Sequence, residues 1–591
     1  MCGIFGLVSD KPVKAAMTVV ACLRKLDYRG YDSWGVAVRD NQNLFIHKDV
    51  GPVPPDAETQ IPDLQSTIAI GHTRWATHGG VTRLNAHPHT SQNNKITIVH
   101  NGIVENFQEL KEELAGRNYK FITETDTEVI ANLIEDESKD GMPLEESVRR
   151  AFNRLEGRNA VVVMRSGEDK LVAVKTGSPL IIGLTDGARY IASDIPVLLQ
   201  FTREMVFLED GEMAVLDGGF RLYDAASGKE KKFEKSHIEW TVEDAEKGDF
   251  PHFLIKEILD QKWSVKNAAN QKKESVMELA QMINNAYGTY MVGCGTAAHA
   301  CRAATYIFSK IAQKHINFCI GSEFPYFEFF LKQNSLLIAA SQSGETADIL
   351  DAVKAARNKK AVVASLVNVI GSTLMRMSDK HLLLNAGPEK AVLSTKAFTS
   401  KLALFYLLAY SVKGKYEYGM QRINAVSDAL NKMLTEEFLS SMQALARTLA
   451  AGKDIYILGR GLSYPIALEG AHKIKEATYI HAEGFAGGEP KHCEISLVSQ
   501  GTPAIIIAPN DETRHAIINN AMEFKARGAC IIGISPKKEP VFDYWIQVPD
   551  LGEESAIVNV IPMQLIAYYA ALELGYNPDK PRNLAKSLTV K

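Results

Sequence analysis

The stretch LLIAASQSGETADILDAVKAAR, residues 336–357, decides the fold expected for the larger part of this chain. The apolar run Leu336–Ala340 predicts a buried strand, and the periodicity of Ala347–Arg357 predicts an amphipathic helix directly after it. Strand, turn and helix in this order are the unit of a doubly wound parallel α/β sheet. The turn Ser341–Thr346 places hydroxyl and amide groups at a helix N-terminus, where anions are stabilised. A plain N-cap needs only one such group, so we predict a phosphate site.

The pattern around this stretch occurs twice in the chain. The matched segments are Tyr290–Gly295 with Tyr456–Gly461 at a shift of 166, Glu345-Thr346 with Glu512-Thr513 at 167, and Ala361–Val363 with Ala529–Ile531 at 168. A nearly constant offset predicts an internal duplication, and therefore two doubly wound parallel α/β domains.

The turn Gly293-Cys294-Gly295 has a second interpretation. It follows a strand and opens a helix, as the glycine-rich turns of dinucleotide-binding proteins do. The Ser341–Thr346 turn is the better anion site because it adds side-chain hydroxyls to the helix N-terminus. The sequence therefore favours a phosphate ligand over a dinucleotide.

The composition is that of an ordinary globular protein of several domains. The 591 residues are 46% hydrophobic and 23% charged, with a net charge of −4, which argues against nucleic acid and membranes as partners. Seven scattered cysteines without a C-x-x-C pair are typical of reduced thiols in a cytosol. The start has no signal-peptide pattern, and the apolar run 402–412 is too short to span a membrane. We expect a cytoplasmic protein without metal or cofactor.

Residues 1–240 follow another pattern, in which short β-branched runs alternate with Gly, Asn and Asp turns. The predicted strands include 68–70, 96–99, 160–164 and 171–174, and the two predicted helical stretches lie near 14–26 and 105–117. We predict a layered αββα or sandwich-like domain over 1–240. Charged residues crowd into 227–235 and 241–249, which is typical of a solvated connector, so we predict a linker at 241–250.

Cys2 lies in the opening string Met1-Cys2-Gly3-Ile4-Phe5-Gly6. If Met1 is removed, Cys2 carries a thiol and a free α-amine, which titrates near pH 8 and can act as the base for the thiol. The alternative is an ordinary small residue that opens an edge strand. The rest of the chain must decide between the two.

Polar clusters are dense in the same domain. They are Tyr28–Ser33, Gly71–Gly79, Asn85–His89, His100–Gly102 and Glu124–Glu128. Four histidines between 72 and 89 allow a metal-site interpretation, but they lack a helical i, i+4 pair and an acidic partner. Asn101-Gly102 alone is typical of a hairpin turn.

Together, Cys2 and these clusters resemble the glutaminase domain of N-terminal-nucleophile (class II) glutamine amidotransferases. The resemblance covers residues 1–240 and implies an αββα fold that hydrolyses the side-chain amide of glutamine. The residues that it implies are Cys2 as nucleophile, Asn101 and Gly102 as oxyanion donors, Arg74 and Asp126 as contacts for the α-carboxylate and α-ammonium, Arg29, Thr77 and His78 as further glutamine contacts, and Trp75 as the gate of an ammonia channel.

The strand, S-x-S-G-x-T turn and helix resemble the sugar isomerase (SIS) fold, here as a tandem pair. The whole chain resembles the glutamine–fructose-6-phosphate aminotransferase family, including its linker phrase at 252–258 and its tail at 581–590. The resemblance implies glutamine-dependent synthesis of glucosamine 6-phosphate, the first step of hexosamine biosynthesis. The implied domains are SIS domain 1 at 251–430, SIS domain 2 at 431–575 and a tail at 576–591 that closes the sugar site.

Residues of the second site are also carried over from the family. They are Lys586 for a Schiff base with the ketose, Glu476 for proton transfer between C1 and C2, His492 for ring opening from the neighbouring subunit of a homodimer, and Thr296, Ser341, Gln342, Ser343, Thr346, Val392, Ser394, Lys396, Glu469 and Lys473 for sugar-phosphate contacts. Glu469, Lys473 and Glu476 stand at i, i+4 and i+7, so one helix face presents all three. Alone, that spacing is typical of a surface salt-bridge ladder.

The sequence departs from the family at two places. Ala297 stands where the family usually has Ser, and Cys493-Glu494 where it usually has Gly-Pro. We expect altered sugar affinity and an unchanged reaction. The alternatives are a glutaminase-coupled enzyme for another phosphosugar, a deglycase, or a sugar-phosphate sensor. A sensor does not explain why Cys2, Glu476, His492 and Lys586 occur together.

Overall fold

The computed structural model describes residues 2–41 and 43–586, without the side chain of residue 140. The chain divides into two compact units. The first contains the described residues up to Ala245 together with 371–373 and 585–586. The second contains 246–370 and 374–584.

Two antiparallel sheets form the centre of the first unit. Among the described residues, the first sheet has the strand order Ser236–His237, Glu204–Phe207, Ile181–Thr185, Ala188–Ala192, Gly3–Val13, Ser66–Arg74, Ser33–Asp40 and Asn43–Val50. The second has the order Glu230–Lys231, Phe220–Asp224, Glu212–Leu216, Leu171–Thr176, Asn159–Arg165, Ile96–Gly102 and His89–Thr90.

Side-chain alternation along the strands builds two core layers. On Asn159–Arg165, Ala160 and Val162 pack between the two sheets, whereas Val161 and Val163 pack with residues of the helices. Because successive side chains of a strand point to opposite faces, one strand contributes to both layers. The layers are helix, sheet, sheet and helix, which confirms the predicted αββα class.

The first unit contains more helices than the sequence analysis predicted. The described helices are Ala15–Leu26, Phe107–Gly116, Thr127–Glu137, Leu144–Phe152 and Ile195–Leu198, with 3-10 turns at Asp27–Arg29, Ala57–Gln60 and Lys139–Gly141. The prediction of two helical stretches was wrong, because Thr127–Glu137 and Leu144–Phe152 begin among polar residues that hid their periodicity. The buried residues Val129, Leu133 and Ile134 show that periodicity.

The second unit contains two parallel sheets with the same strand order. In the described chain, the first sheet runs Asn317–Ile320, Thr289–Gly293, Leu336–Ser341, Val362–Val367 and Lys380–Leu383, and the second runs His481–Ala486, Asp454–Gly459, Pro503–Ile507, Cys530–Ser535 and Tyr544–Gln547. All neighbouring strands are parallel. The repeated order confirms the prediction of two doubly wound parallel α/β domains.

Helices cover both sheets of the second unit. They are Phe253–Leu259, Gln261–Ala269, Lys273–Asn285, Thr296–Ile307, Ala347–Asn358, Thr373–Arg376, Lys396–Val412, Tyr416–Met433, Glu436–Ala450, Ser463–Thr478, Arg514–Lys525, Ser555–Asn559 and Ile561–Glu573, with short 3-10 or π turns at Phe308–Ala312, Gly321–Tyr326, Glu328–Phe330, Pro490–His492, Glu494–Leu497 and Gly552–Glu554. The segment Gly552–Glu573 is apolar and long enough to cross a membrane by composition, but 89% of its most apolar part is buried inside the protein. That burial is typical of a core helix.

Candidate active sites

Strand pairing brings Cys2 next to the Arg74-Trp75 segment in the first unit. Gly3 pairs with Thr73 across two antiparallel strands, so the preceding residue, Cys2, lies beside the end of the Ser66–Arg74 strand. The backbone N–H of Trp75 donates to the Cys2 Sγ at 3.2 Å. The thiol is therefore held at a defined place at the start of a central strand of the sheet.

The thiol of Cys2 is not activated by its surroundings alone. Burial raises its pKa, opposed in part by the Trp75 N–H and the guanidinium groups of Arg74 and Arg29. A thiol with a raised pKa is mostly protonated at neutral pH, and the thiolate is the nucleophile. The site therefore needs a base that removes the proton during attack.

The side-chain amide of Asn101 is aimed at Cys2 by His72. The His72 Nε2–H donates to the Asn101 Oδ1 and to the His100 carbonyl, both at 3.0 Å. The Asn101 Nδ2 is thereby turned towards Cys2 and donates to its carbonyl oxygen at 3.1 Å. A donor held in place before reaction can stabilise a developing oxyanion without reorganisation. The sequence analysis placed His72 in a polar cluster but assigned it no role.

Gly102, the second predicted oxyanion donor, requires glycine for two reasons. Its φ of 137° lies in a region that favours glycine, and a Cβ there would lie 2.0 Å from the Arg158 carbonyl oxygen. Gly102, whose backbone N–H is the predicted donor, therefore cannot be replaced by another residue type without strain.

The predicted glutamine contacts lie around one turn that follows the Ser66–Arg74 strand. The buried Arg74 guanidinium donates to the carbonyls of His78, Gly79 and Gly80. Thr77 is exposed on this turn. Asp126 is buried at the start of the helix Thr127–Glu137, and its Oδ2 accepts from the Val104 N–H at 2.8 Å.

Arg29 has a partner of its own. Its guanidinium donates to Asp194 at 2.6 Å and to the Cys2 carbonyl at 3.3 Å. Arg29 therefore lies beside the residue that carries the thiol, and its contact with glutamine stays a prediction.

Buried histidines next to this site are neutral. Burial lowers the pKa of His72 to about 3 and lowers those of His87, His89 and His100. Their rings bond to hydroxyls and amides: His87 and His100 both contact the Thr127 Oγ1, at 3.0 and 2.9 Å. These hydrogen bonds fix the positions of the histidine rings next to Cys2 and Asn101.

A buried charge cluster lies between the two halves of the second unit. Glu469 and Lys473, on the helix Ser463–Thr478, are 0% and 1% exposed. The Lys473 Nζ lies 2.6 Å from the Glu476 Oε2 and 3.7 Å from the Glu469 Oε1. The helix spacing thus brings all three side chains together in the protein interior, not in a surface ladder.

The first half contributes the remaining contacts to this cluster. From the helix Thr296–Ile307, the Thr296 hydroxyl donates to the Glu469 Oε1 at 3.1 Å and the His299 Nδ1–H donates to the Oε2 at 2.8 Å. Burial raises the pKa of Glu469, but Lys473 and His299 outweigh it, so the net shift is downward. Burial lowers the pKa of Lys473, but Glu476 and Glu469 outweigh it, so the net shift is upward. Both side chains are therefore charged at neutral pH.

The Ser341–Thr346 turn is shaped by its own hydroxyls. The Ser341 Oγ accepts from the Gly344 N–H at 3.0 Å, and the Ser343 Oγ accepts from the Glu345 N–H at 3.2 Å. Gly344 has a φ of 69°, which favours glycine. The turn leads into the helix Ala347–Asn358, with Gln342, Ser343 and Thr346 half-buried.

Three further predicted contacts lie between the parallel sheet and the helix Lys396–Val412. Ser394 donates to the Glu389 Oε2 at 2.9 Å, and the Val392 N–H donates to the Asp579 carbonyl at 3.2 Å. The Lys396 Nζ lies 3.2 Å from the Asp260 Oδ2 and is 1% exposed. Lys396 is thus paired with a carboxylate inside the protein.

Two predicted catalytic residues lie outside the helix that carries the charge cluster. His492 is exposed on the turn Pro490–His492. Among the described contacts, no hydrogen bond joins it to Glu469, Lys473 or Glu476. Lys586 is half-buried at the last described position and is grouped with the first unit.

The sequence analysis missed His299 and His472. Both adjoin the charge cluster, with ring centroids 5.4 Å apart. His472 could have been found from its position between Glu469 and Glu476 on one helix. His299 could not, because its partner Glu469 is 170 positions away.

Comparisons with known proteins show which families the two units resemble. The SIS domain family matches residues 282–411 and 448–574, and the glutamine amidotransferase domain family matches residues 72–200. The chain is 41% identical over 604 residues to a glutamine–fructose-6-phosphate aminotransferase [isomerizing] of Thermococcus kodakarensis, with both chains covered completely. A relative of the same name in Clostridium tetani is 40% identical over 615 residues, again with full coverage. A solved structure of the C-terminal domain of glucosamine-fructose-6-phosphate aminotransferase from Francisella tularensis covers 56% of this chain and 99% of its own, at 30% identity and a TM-score of 0.53.

Proposed function

This chain belongs to the glutamine–fructose-6-phosphate aminotransferase (isomerizing) family, and from that premise we propose how its residues carry out the reaction. The enzyme makes glucosamine 6-phosphate from fructose 6-phosphate, with glutamine as the nitrogen donor. The first unit releases ammonia, and the second aminates and isomerises the sugar.

Cys2 is the nucleophile of the glutaminase half-reaction. Removal of Met1 frees the Cys2 α-amine, which takes the thiol proton as sulfur attacks the amide carbon of glutamine. The amide nitrogen leaves as ammonia with that proton, and water then hydrolyses the thioester to glutamate. The raised pKa of the thiol is the reason why this base is needed.

Asn101 and Gly102 stabilise the oxyanion of the tetrahedral intermediate. The observation on which this assignment rests is the pair of hydrogen bonds by which His72 directs the Asn101 Nδ2 towards Cys2. Arg74 binds the substrate α-carboxylate and Asp126 binds its α-ammonium. Arg29, Thr77 and His78 complete the pocket.

The charge cluster performs the sugar chemistry. Lys586 forms a Schiff base at C2 of the open-chain ketose with loss of water, and ammonia then displaces the lysine. Glu476 moves a proton from C1 to C2, and the proton of the C1 hydroxyl passes to the nitrogen, which converts the ketimine into the 2-amino aldehyde. Lys473 and Glu469 hold Glu476 in place, while the Ser341–Thr346 turn, with Thr296, binds the phosphosugar. Val392, Ser394 and Lys396 line the pocket.

A second copy of the chain completes the sugar site. His492 is exposed, so ring opening by this residue requires that it reach a neighbouring subunit. We infer a homodimer that assembles through the SIS domains in the cytosol, where the cysteines, free in the described chain, stay reduced.

Trp75 gates the passage of ammonia between the two reactions. Its backbone contacts the Cys2 thiol, so its position is coupled to the nucleophile. Trp75→Ala should keep glutaminase turnover and lose glucosamine 6-phosphate formation from glutamine. Preserved coupling of glutamate and amino-sugar formation would contradict the gate.

Product analysis with glutamine and fructose 6-phosphate tests the whole assignment. Wild-type protein should form glutamate and glucosamine 6-phosphate. Cys2→Ala should lose all use of glutamine but keep slow synthesis from ammonia, whereas Lys586→Ala should lose synthesis from either donor and keep glutaminase activity. Formation of an amino sugar only from a different phosphosugar would reject fructose 6-phosphate as the acceptor.

A further inference from the structure

His299, Glu469 and His472 bring three metal-binding side chains together at the charge cluster. Their ligand atoms all lie within 4.8 Å of one another. Glu469 is fully buried, while the side chains of His299 and His472 are 21% and 34% exposed. One face of the group is therefore open to a small ion.

We propose that these three residues form a binding site for a divalent transition-metal ion of the zinc class. Two imidazoles and one carboxylate are the ligand set of many zinc sites with an open fourth position. Magnesium and calcium prefer an all-oxygen set. The half-exposed histidine rings leave room for water as the fourth ligand.

The two oxygens of the Glu469 carboxylate have different partners. Its Oε1 is held by the Thr296 hydroxyl at 3.1 Å, with the Lys473 Nζ at 3.7 Å. Its Oε2 faces the His299 Nδ1 at 2.8 Å. The metal takes the Oε2 side, and Thr296 and Lys473 orient the ligand from the other side, as outer-shell partners of metal ligands do.

The histidines are available as ligands. The His472 Nε2 lies 3.8 Å from the Glu476 Oε2, beyond hydrogen-bond distance, so that carboxylate does not occupy this ring nitrogen. His299 now donates its Nδ1–H to Glu469. On binding, its proton moves to the other ring nitrogen, and the neutral ring presents Nδ1 to the metal.

Occupancy of this site inhibits the sugar half-reaction, a consequence that rests on the proposed function, whereas the site itself does not. The Glu476 Oε2 lies 3.8 Å from the His472 Nε2 and 2.6 Å from Lys473. A dication bound at His472 attracts the Glu476 carboxylate and so competes with the sugar for it. Formation of glucosamine 6-phosphate therefore slows, whereas glutamine hydrolysis in the first unit is unaffected.

Titration of full-length, chelator-treated Cys2→Ala protein with ZnCl₂, followed by calorimetry, tests the site. The Cys2→Ala background removes the Cys2 thiol as a competing ligand. We expect one zinc bound per chain, and at least tenfold weaker binding in both His299→Ala and His472→Leu. His481→Ala is the matched control, because His481 also contacts a carboxylate, Asp454, at 2.9 Å, but lies outside the group. It should bind zinc as the parent does.

Two further readouts keep the result interpretable. Substitution with Co²⁺ should give the visible absorption of a four-coordinate site, lost in the histidine variants, and thermal melts identify a variant that fails to fold. Thr296→Val removes only an outer partner and should weaken zinc binding by about tenfold. Equal zinc binding in parent and histidine variants, or no binding by the parent, would overturn the proposal. Zinc binding without inhibition of ammonia-dependent synthesis would reject only the catalytic consequence.

Discussion

The two halves of the second unit share a topology but contain different chemistry. Each has five parallel strands in the same order in the described chain. The first half has the turn Ser341–Thr346, and the second has Ala508–Thr513 at the matching position, with Asp511 where the first has Gly344. The Asp511 Oδ1 accepts the Thr513 N–H at 2.8 Å and the Thr513 hydroxyl at 2.6 Å. A carboxylate of the protein thus occupies the helix N-terminus that corresponds to the proposed phosphate site of the first half.

The helices at matching positions of the two halves also differ, and here it is the second half that carries the charged groups. The helix Ser463–Thr478 carries Glu469, Lys473 and Glu476. At a shift of 166, the first half has Ala303, Ile307 and Lys310, and Lys310 is paired with Glu512 and Glu553. Both halves have therefore kept the fold of the duplicated unit, whereas the residues of the proposed sugar site are divided between them. The first half contains the turn proposed to bind the phosphate, and the second contains the groups proposed to transfer the proton.

The largest expected difference between the two halves is the effect on the rate of removing the proposed base, Glu476. Glu476→Gln should lower the rate of glucosamine 6-phosphate formation by about 10²–10⁴-fold, the usual contribution of a positioned acid or base. Lys310→Gln, at the matching position, should leave the rate unchanged. Steady-state kinetics with ammonia as donor measures both. A comparable loss in Lys310→Gln would show that both halves take part in proton transfer.

The two turns should differ in substrate affinity. Thr346→Val removes a hydroxyl at the proposed phosphate site and should raise the KM for fructose 6-phosphate by about 10- to 100-fold, since a hydrogen bond to a charged group is worth about 1.5–3 kcal/mol. Thr513→Val should leave KM unchanged, because its hydroxyl bonds to Asp511. An unchanged KM in Thr346→Val, with the fold intact by thermal melt, would place the phosphate elsewhere.

The smallest expected effect concerns stability. Asp511→Ala leaves the Thr513 N–H without its acceptor at the start of the helix Arg514–Lys525, and should lower the free energy of unfolding by about 1 kcal/mol. Urea denaturation measures this loss, with glucosamine 6-phosphate synthesis as the control that should not change. A gain of fructose 6-phosphate binding at the second turn would mean that Asp511 blocks a functional site instead of only capping a helix.

Sequence patterns predicted the fold well because they are local. The strand Leu336–Ser341 and the helix Ala347–Asn358 differ by one residue each from the predicted spans. Where polar residues interrupt the periodicity, as before Thr127–Glu137, the prediction failed. The helix spacing of Glu469, Lys473 and Glu476 also predicted their contact, although burial and not surface pairing is the outcome.

The sequence by itself determined the αββα and doubly wound classes and the duplication, and it predicted Cys2 as the nucleophile, because periodicity, repeat offset and motif order are properties of neighbouring residues. Only the tertiary structure decided that His72 directs Asn101, and that Thr296 and His299 hold Glu469 from 173 and 170 positions away. The physical reason is that such contacts depend on the packing of separate elements against one another. That packing sets which buried polar groups meet, and no spacing along the chain records it.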